Sequence, residues 1–153
     1  MMKLQIRQLD ENAKIPTRAY ETDAGLDLYC LEDVTIYPTY QLDDRGNLED
    51  NFPRIVKTGI AIQLTDGHYG HICEKSGLAS RGIKVGGGII DSSYTGEVKV
   101  IMYNLTASTF KFEKGQKVAQ LIIQSCIQPE IEIVDNLEET DRSDSGFGSS
   151  GSW

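Results

Sequence analysis

The sequence predicts an all-β domain with one short helix, and three observations predict it. Short apolar–polar alternations recur along most of the chain. The residues between them are largely Gly, Pro, Asp and Asn. One stretch, Ser76-Gly77-Leu78-Ala79-Ser80, suits a short helix. Period-two alternation marks a half-buried strand, and many short strands with turn residues between them form a sandwich, a barrel or a jelly roll.

Taken in order, Leu4 and Ile6 alternate with polar neighbours, as do Val34 and Ile36, and then Ile60, Ile62 and Leu64. Tyr69–Cys73 follows as a further strand. Glu97–Tyr103 is rich in β-branched and aromatic residues, and Val118–Ile123 is a nearly continuous apolar strand. Ile131-Glu132-Ile133 alternates once more. Between these lies Gly86-Gly87-Gly88-Ile89-Ile90-Asp91-Ser92-Ser93-Tyr94-Thr95-Gly96, which reads as a hairpin with bare backbone on one arm and Asp91 at its bend. Thr39–Pro53 is polar and turn-rich and reads as a long surface loop. From Glu138 onward Leu, Ile and Val disappear. The expectation is therefore a single domain over 1–137 and a flexible C-terminal segment over 138–153.

A chain of 153 residues can bury one real core. Its net charge of −8, from 23 acidic and 15 basic residues, argues against nonspecific nucleic-acid binding. A nucleotide remains open as a ligand, because a local basic site can sit on an acidic protein. The N-terminus lacks a signal-peptide core and no apolar run is long enough for a bilayer, so a soluble, intracellular, cytoplasmic protein is expected. Cys30, Cys73 and Cys126 are widely spaced and read as reduced thiols. His68, His71 and Cys73 resemble metal ligands only superficially, since no fourth ligand is evident.

Several residues could carry chemistry, and each has a plainer reading beside it. Asp91 could handle a proton near a planar ligand, or cap its own turn. Ser76 and Gly77 open a helical turn whose free N–H groups favour anions, or simply cap it. Gln120 interrupts an apolar strand, so its amide needs a partner or faces solvent. The Ser/Gly tail holds an Arg and a Phe, which a mobile lid would use to grip a phosphate and stack on a base.

In order along the chain, Ala24–Tyr29, Lys75–Ala79, Gly88–Gly96, Gly115–Leu121 and Arg142–Gly151 resemble the five motifs of the trimeric dUTP pyrophosphatases (dUTPases). One such motif is weak; five in order over nearly the whole chain are specific. The resemblance implies a jelly-roll-like β-barrel or sandwich, a homotrimer with shared active sites, and hydrolysis of dUTP to dUMP and pyrophosphate. It implies Asp91 as the base for a water attacking the α-phosphate, and Tyr94 as a platform that excludes a 2′-hydroxyl. Backbone around Gly88 and Lys99 would read uracil. Lys75, Ser76, Gly77 and Gln120 would hold phosphates, and Arg142, Phe147, Gly148 and Ser149 would form the lid over the bound nucleotide. Magnesium would ride on the phosphates, with Asp27 touching its water shell. Lys75 stands where the family usually has Arg, which keeps the charge and loses the bidentate fork. A dCTP deaminase or a bifunctional enzyme of the same fold is the first alternative. A dUTP-sensing protein that binds a partner through the Tyr40–Pro53 loop is the second.

Overall fold

The computed structural model describes residues 3–42, 45, 48–50 and 53–140. Among them the chain forms twelve strands and one helical turn: β1 (Gln5–Gln8), β2 (Gly25–Tyr29), β3 (Val34–Ile36), β4 (Tyr40–Leu42), β5 (Leu48–Asp50), β6 (Arg54–Gln63), β7 (His68–Cys73), α1 (Ser76–Ala79), β8 (Ile83–Gly86), β9 (Ile89–Ile90), β10 (Glu97–Asn104), β11 (Phe110–Phe112) and β12 (Lys117–Ser125).

Two four-stranded antiparallel sheets dominate, in the orders β1-β6-β10-β8 and β2-β12-β7-β9. A smaller β11-β3 pair joins them. The alternation read from sequence decides which side chains meet. Val56, Ile60, Ile62, Val98, Val100 and Met102 of the first sheet share one buried cluster with Leu26, Leu28, Ile72, Val118 and Leu121 of the second, and with Val34, Ile36 and Phe112. Most are 0–4 % exposed, so each contributes on the order of 1.5–3 kcal/mol of apolar transfer. The family's all-β, jelly-roll-like architecture is the one found.

Two buried polar groups show how the core tolerates polarity. Asn104, fully buried, donates from Nδ2 to the carbonyls of Ile36 (3.0 Å) and Ser108 (2.8 Å), while Oδ1 accepts from the N–H and hydroxyl of Thr106. Thr58 donates to the Val98 carbonyl at 2.5 Å. Every polar atom so paired avoids the cost of stranded burial.

Three expectations change. The Thr39–Pro53 stretch is not a plain loop: Tyr40↔Asp50 and Leu42↔Leu48 pair as a short antiparallel ribbon. The Gly86–Gly96 segment is not a continuous hairpin. β8 pairs with β10 through Ile101–Asn104, but the chain then changes sheets at Gly87-Gly88, and Ile89–Ile90 pair with β7. Finally, Ile131–Ile133 form no strand. After Ser125 the chain carries no regular element through residue 140, and Ile127, Ile131, Ile133 and Leu137 are 85–95 % exposed. A strand needs a ladder partner for its N–H and C=O groups, and the described part of this chain provides none there. No helix among the described residues is long and apolar enough to cross a membrane.

Candidate active site

The change of sheets at Gly87-Gly88 creates the first site feature. Gly87 has φ +60°, a conformation glycine adopts without penalty. Gly88 lies hard against β7: its carbonyl accepts from the Ile72 N–H at 2.7 Å, and a Cβ at this position would stand 2.4 Å from the Ile72 carbonyl oxygen. β9 thereby peels away from β10. Residues 97–100 of β10 have no strand on that side, and neither does the outer edge of β9, among the described residues. A cavity of about 250 Å³ opens between them, lined by Ile55, Ile89, Ile90, Asp91, Tyr94, Glu97, Lys99 and Ile101.

The β10 side of that cavity is shaped by a bulge. Pairing with β6 shifts by two residues between Glu97↔Ala61 and Lys99↔Lys57. Gly59 fills the irregularity at φ +70°, and its N–H donates to the Glu97 carboxylate at 3.0 Å. Bulges of this kind re-aim the side chains beside them. Tyr94 curls back over the turn, its hydroxyl donating to the Glu97 carbonyl at 3.1 Å. It can do so because residue 96 is glycine, where a Cβ would meet the Tyr94 hydroxyl at 2.6 Å. Asp91 is exposed at the start of the turn, its carbonyl accepting from the Tyr94 N–H. Asp91, Tyr94 and Lys99 are thus brought together in one lining, while Gly88 lies against Ile72 and is not part of it.

A second cavity, about 370 Å³, is lined by Lys75, Ser76, Gly77, Leu78, Arg81, Lys117 and Gln120. Lys75 occupies the N-cap position of α1 without a side-chain cap. Gln120 donates from Nε2 to the Glu74 carbonyl at 2.9 Å, so its amide is satisfied on a half-buried strand. Beneath the cavity lies Asp27, 4 % exposed. Lys75 hydrogen-bonds its Oδ1. The Lys117 ammonium stands 2.5 Å from Oδ2, off the line of a well-directed hydrogen bond. Burial alone would raise the Asp27 carboxyl, but the Lys117 and Lys75 contacts outweigh it and hold it below the usual carboxylate range. The Asp27 carboxylate in turn raises Lys117 above the usual lysine range.

Lys117 and Arg81 were not singled out from sequence. Simple alternation sends Lys117 to the face opposite Gln120. A bulge in β12, between Lys117↔Tyr29 and Ala119↔Leu28, places both on one face. The signal was three residues of strand whose register no pattern reveals.

The two cavities share no lining residue. Arg142, Phe147, Gly148 and Ser149 lie outside the described residues. Among the described residues no three His, Cys, Asp or Glu side chains gather as metal ligands. Asp27, which the resemblance sets at magnesium's water shell, has an ammonium group against each oxygen, and a carboxylate so engaged keeps further lone pairs for a water. All three cysteines are free thiols, with Cys30 and Cys73 pushed up by burial.

The dUTPase family model matches residues 11–151. The chain is 39 % identical over 152 residues to the deoxyuridine 5′-triphosphate nucleotidohydrolase of Paramecium bursaria Chlorella virus 1, covering 99 % of both. It is 40 % identical over 151 residues to the human mitochondrial deoxyuridine 5′-triphosphate nucleotidohydrolase, covering 98 % of this chain and 55 % of the human one. The Staphylococcus bacteriophage 80alpha dUTPase with dUPNHPP superposes with a TM-score of 0.84 at 26 % identity, over 98 % of this chain and 99 % of that one. The chain belongs to the dUTPase family.

Proposed function

We propose that this protein hydrolyses dUTP to dUMP and pyrophosphate, with Asp91 as general base. The observation that carries the reading is the slot between β9 and β10, lined by the exposed Asp91 carboxylate and by Glu97, whose carboxylate is taken up by the Gly59 N–H and the Lys99 ammonium. The slot's apolar lining is Ile55, Ile89, Ile90 and Ile101, and its two sides are strand edges with no strand partner among the described residues. Backbone N–H and C=O groups on such edges suit the edge of a uracil, and an apolar wall close to the base would disfavour an extra methyl. Tyr94, held by its bond to Glu97, packs on the deoxyribose where a 2′-hydroxyl would stand.

Phosphoryl chemistry needs an aimed water and neutralised charge. The Asp91 carboxylate accepts a proton from water as its oxygen attacks the α-phosphorus, and the bond to the bridging oxygen of the departing pyrophosphate breaks. Lys75, the Ser76 hydroxyl, the Gly77 N–H and Gln120 face the phosphates. Magnesium carried on the substrate's phosphates would offset their charge and would keep most of its waters.

These two half-sites line separate cavities within one chain, which supports a site assembled from several copies, as in a homotrimer. The exposed Ile131, Ile133 and Leu137 support the same reading, since such an apolar arm needs a neighbour to cover it. Arg142, Phe147, Gly148 and Ser149 are proposed to close over the bound nucleotide.

The test is pyrophosphate release from dUTP, dCTP, dTTP and UTP, side by side with magnesium, on protein whose mass is measured by sedimentation. Turnover of dUTP far above the other three, by a trimer, is expected. Ammonia from dCTP, or no turnover of dUTP, would overturn the reading.

A further inference from the structure

We propose that Lys117 is a phosphate-contacting residue and that Asp27 is the positioning residue that holds Lys117 and Lys75 as a pair. This rests on the dUTP reading of the site. Two ammonium groups converge on one buried carboxylate, Lys75 on Oδ1 and Lys117 on Oδ2. One negative charge cannot balance two positive ones, so the cluster carries a surplus of +1. Both lysine side chains remain open to solvent, at 32 % and 43 %, while Asp27 stays covered at 6 %. The surplus therefore faces the cavity that Ser76, Gly77 and Gln120 share. Among the described residues Arg81 lines the same cavity and no carboxylate does, so no side chain of that lining cancels it.

Each ammonium has three N–H donors and directs at most one or two of them at Asp27. The rest are available to a second acceptor without breaking the pair. An anion with several oxygens, such as the β- and γ-phosphates, can take donors from both lysines together. Asp27 supplies what two free lysines lack. It offsets their mutual repulsion and fixes both heads at one point. The β12 bulge is what makes this possible, because it turns Lys117 onto the Gln120 and Asp27 face. Without it the strand would point Lys117 away.

The test compares binding of the non-hydrolysable α,β-imido analogue of dUTP with binding of dUMP, for wild type, Lys117→Gln, Lys117→Arg and Asp27→Asn. Lys117→Gln is expected to weaken the imido analogue about 10- to 100-fold, the worth of one charge-assisted hydrogen bond. It leaves dUMP within about twofold and makes analogue binding less sensitive to salt. Lys117→Arg restores most of the affinity. Asp27→Asn shows the same selectivity for the triphosphate, since an amide cannot hold both cations. Lys117 is exposed, so its variants keep the test valid even where Asp27→Asn folds poorly. Equal binding by wild type and Lys117→Gln overturns the proposal, and so does an equal loss for both ligands. If wild type itself neither binds the imido analogue nor releases pyrophosphate from dUTP, the functional reading falls and takes this proposal with it. Normal wild-type turnover with an indifferent Lys117→Gln sinks the lysine pair alone.

Discussion

Replacing Gly88 by alanine tests whether the change of sheets builds the base slot. The added Cβ would stand 2.4 Å from the Ile72 carbonyl oxygen, whereas ordinary contact begins at 3.4 Å. The two segments must therefore separate by about 1 Å. That oxygen is main chain and cannot swing aside. The Ile72 N–H to Gly88 carbonyl bond, 2.7 Å long, would stretch past hydrogen-bonding range. Overpacking costs about 1–3 kcal/mol, and a stranded backbone donor about as much again, so a loss of at least about 2 kcal/mol is expected. In a domain of this size that lowers Tm by about 4–8 °C. Asp91 follows three residues later and moves with β9; a displacement near 1 Å at a reacting group costs about 100-fold in rate. The assay pairs urea denaturation at fixed protein concentration with pyrophosphate release. Gly67→Ala is the control: Gly67 has φ +77°, nothing within 4 Å, and lines neither cavity. It should lose about 1 kcal/mol from backbone strain and keep its activity. A Gly88→Ala protein with unchanged midpoint and unchanged kcat would refute the steric argument.

Three further outcomes are expected. Asp91→Asn should bind the imido analogue normally yet lose about 100- to 10,000-fold in kcat, because an amide takes no proton from water; near wild-type kcat would remove Asp91 from that role. Tyr94→Ala should lower the ratio of kcat/KM for dUTP over UTP, and an unchanged ratio would place sugar selection elsewhere. Asp27 has a folded pKa below its ordinary 3.8, so its stabilising contribution is present above that value and lost as pH falls through the folded one. The gap in urea midpoint between wild type and Asp27→Asn should therefore narrow under strong acid, and a gap constant from neutral pH into that range would contradict the pairing.

Much of the fold was legible because burial and alternation coincide. Ile60 and Ile62, or Val98, Val100 and Met102, each point inward as their spacing requires. Asp91 and Tyr94 were legible as a turn carboxylate and aromatic among glycines. What escaped is set by pairing rather than by residue type. No local pattern says that Ile89–Ile90 joins β7 instead of β10, or that Val118 is the extra residue turning Lys117 around. Ile131 and Ile133 alternate as a strand should, but alternation specifies a face, not the partner that would cover it.

If a water activated by Asp91 attacks the α-phosphorus of dUTP, the position of an oxygen isotope in the products records it. Turnover in ¹⁸O-labelled water, followed by mass spectrometry of both products, should place one labelled oxygen in dUMP and none in pyrophosphate. Label in the pyrophosphate, with unlabelled dUMP, would put the attack on the β-phosphorus and remove Asp91 from the role of base for α-attack.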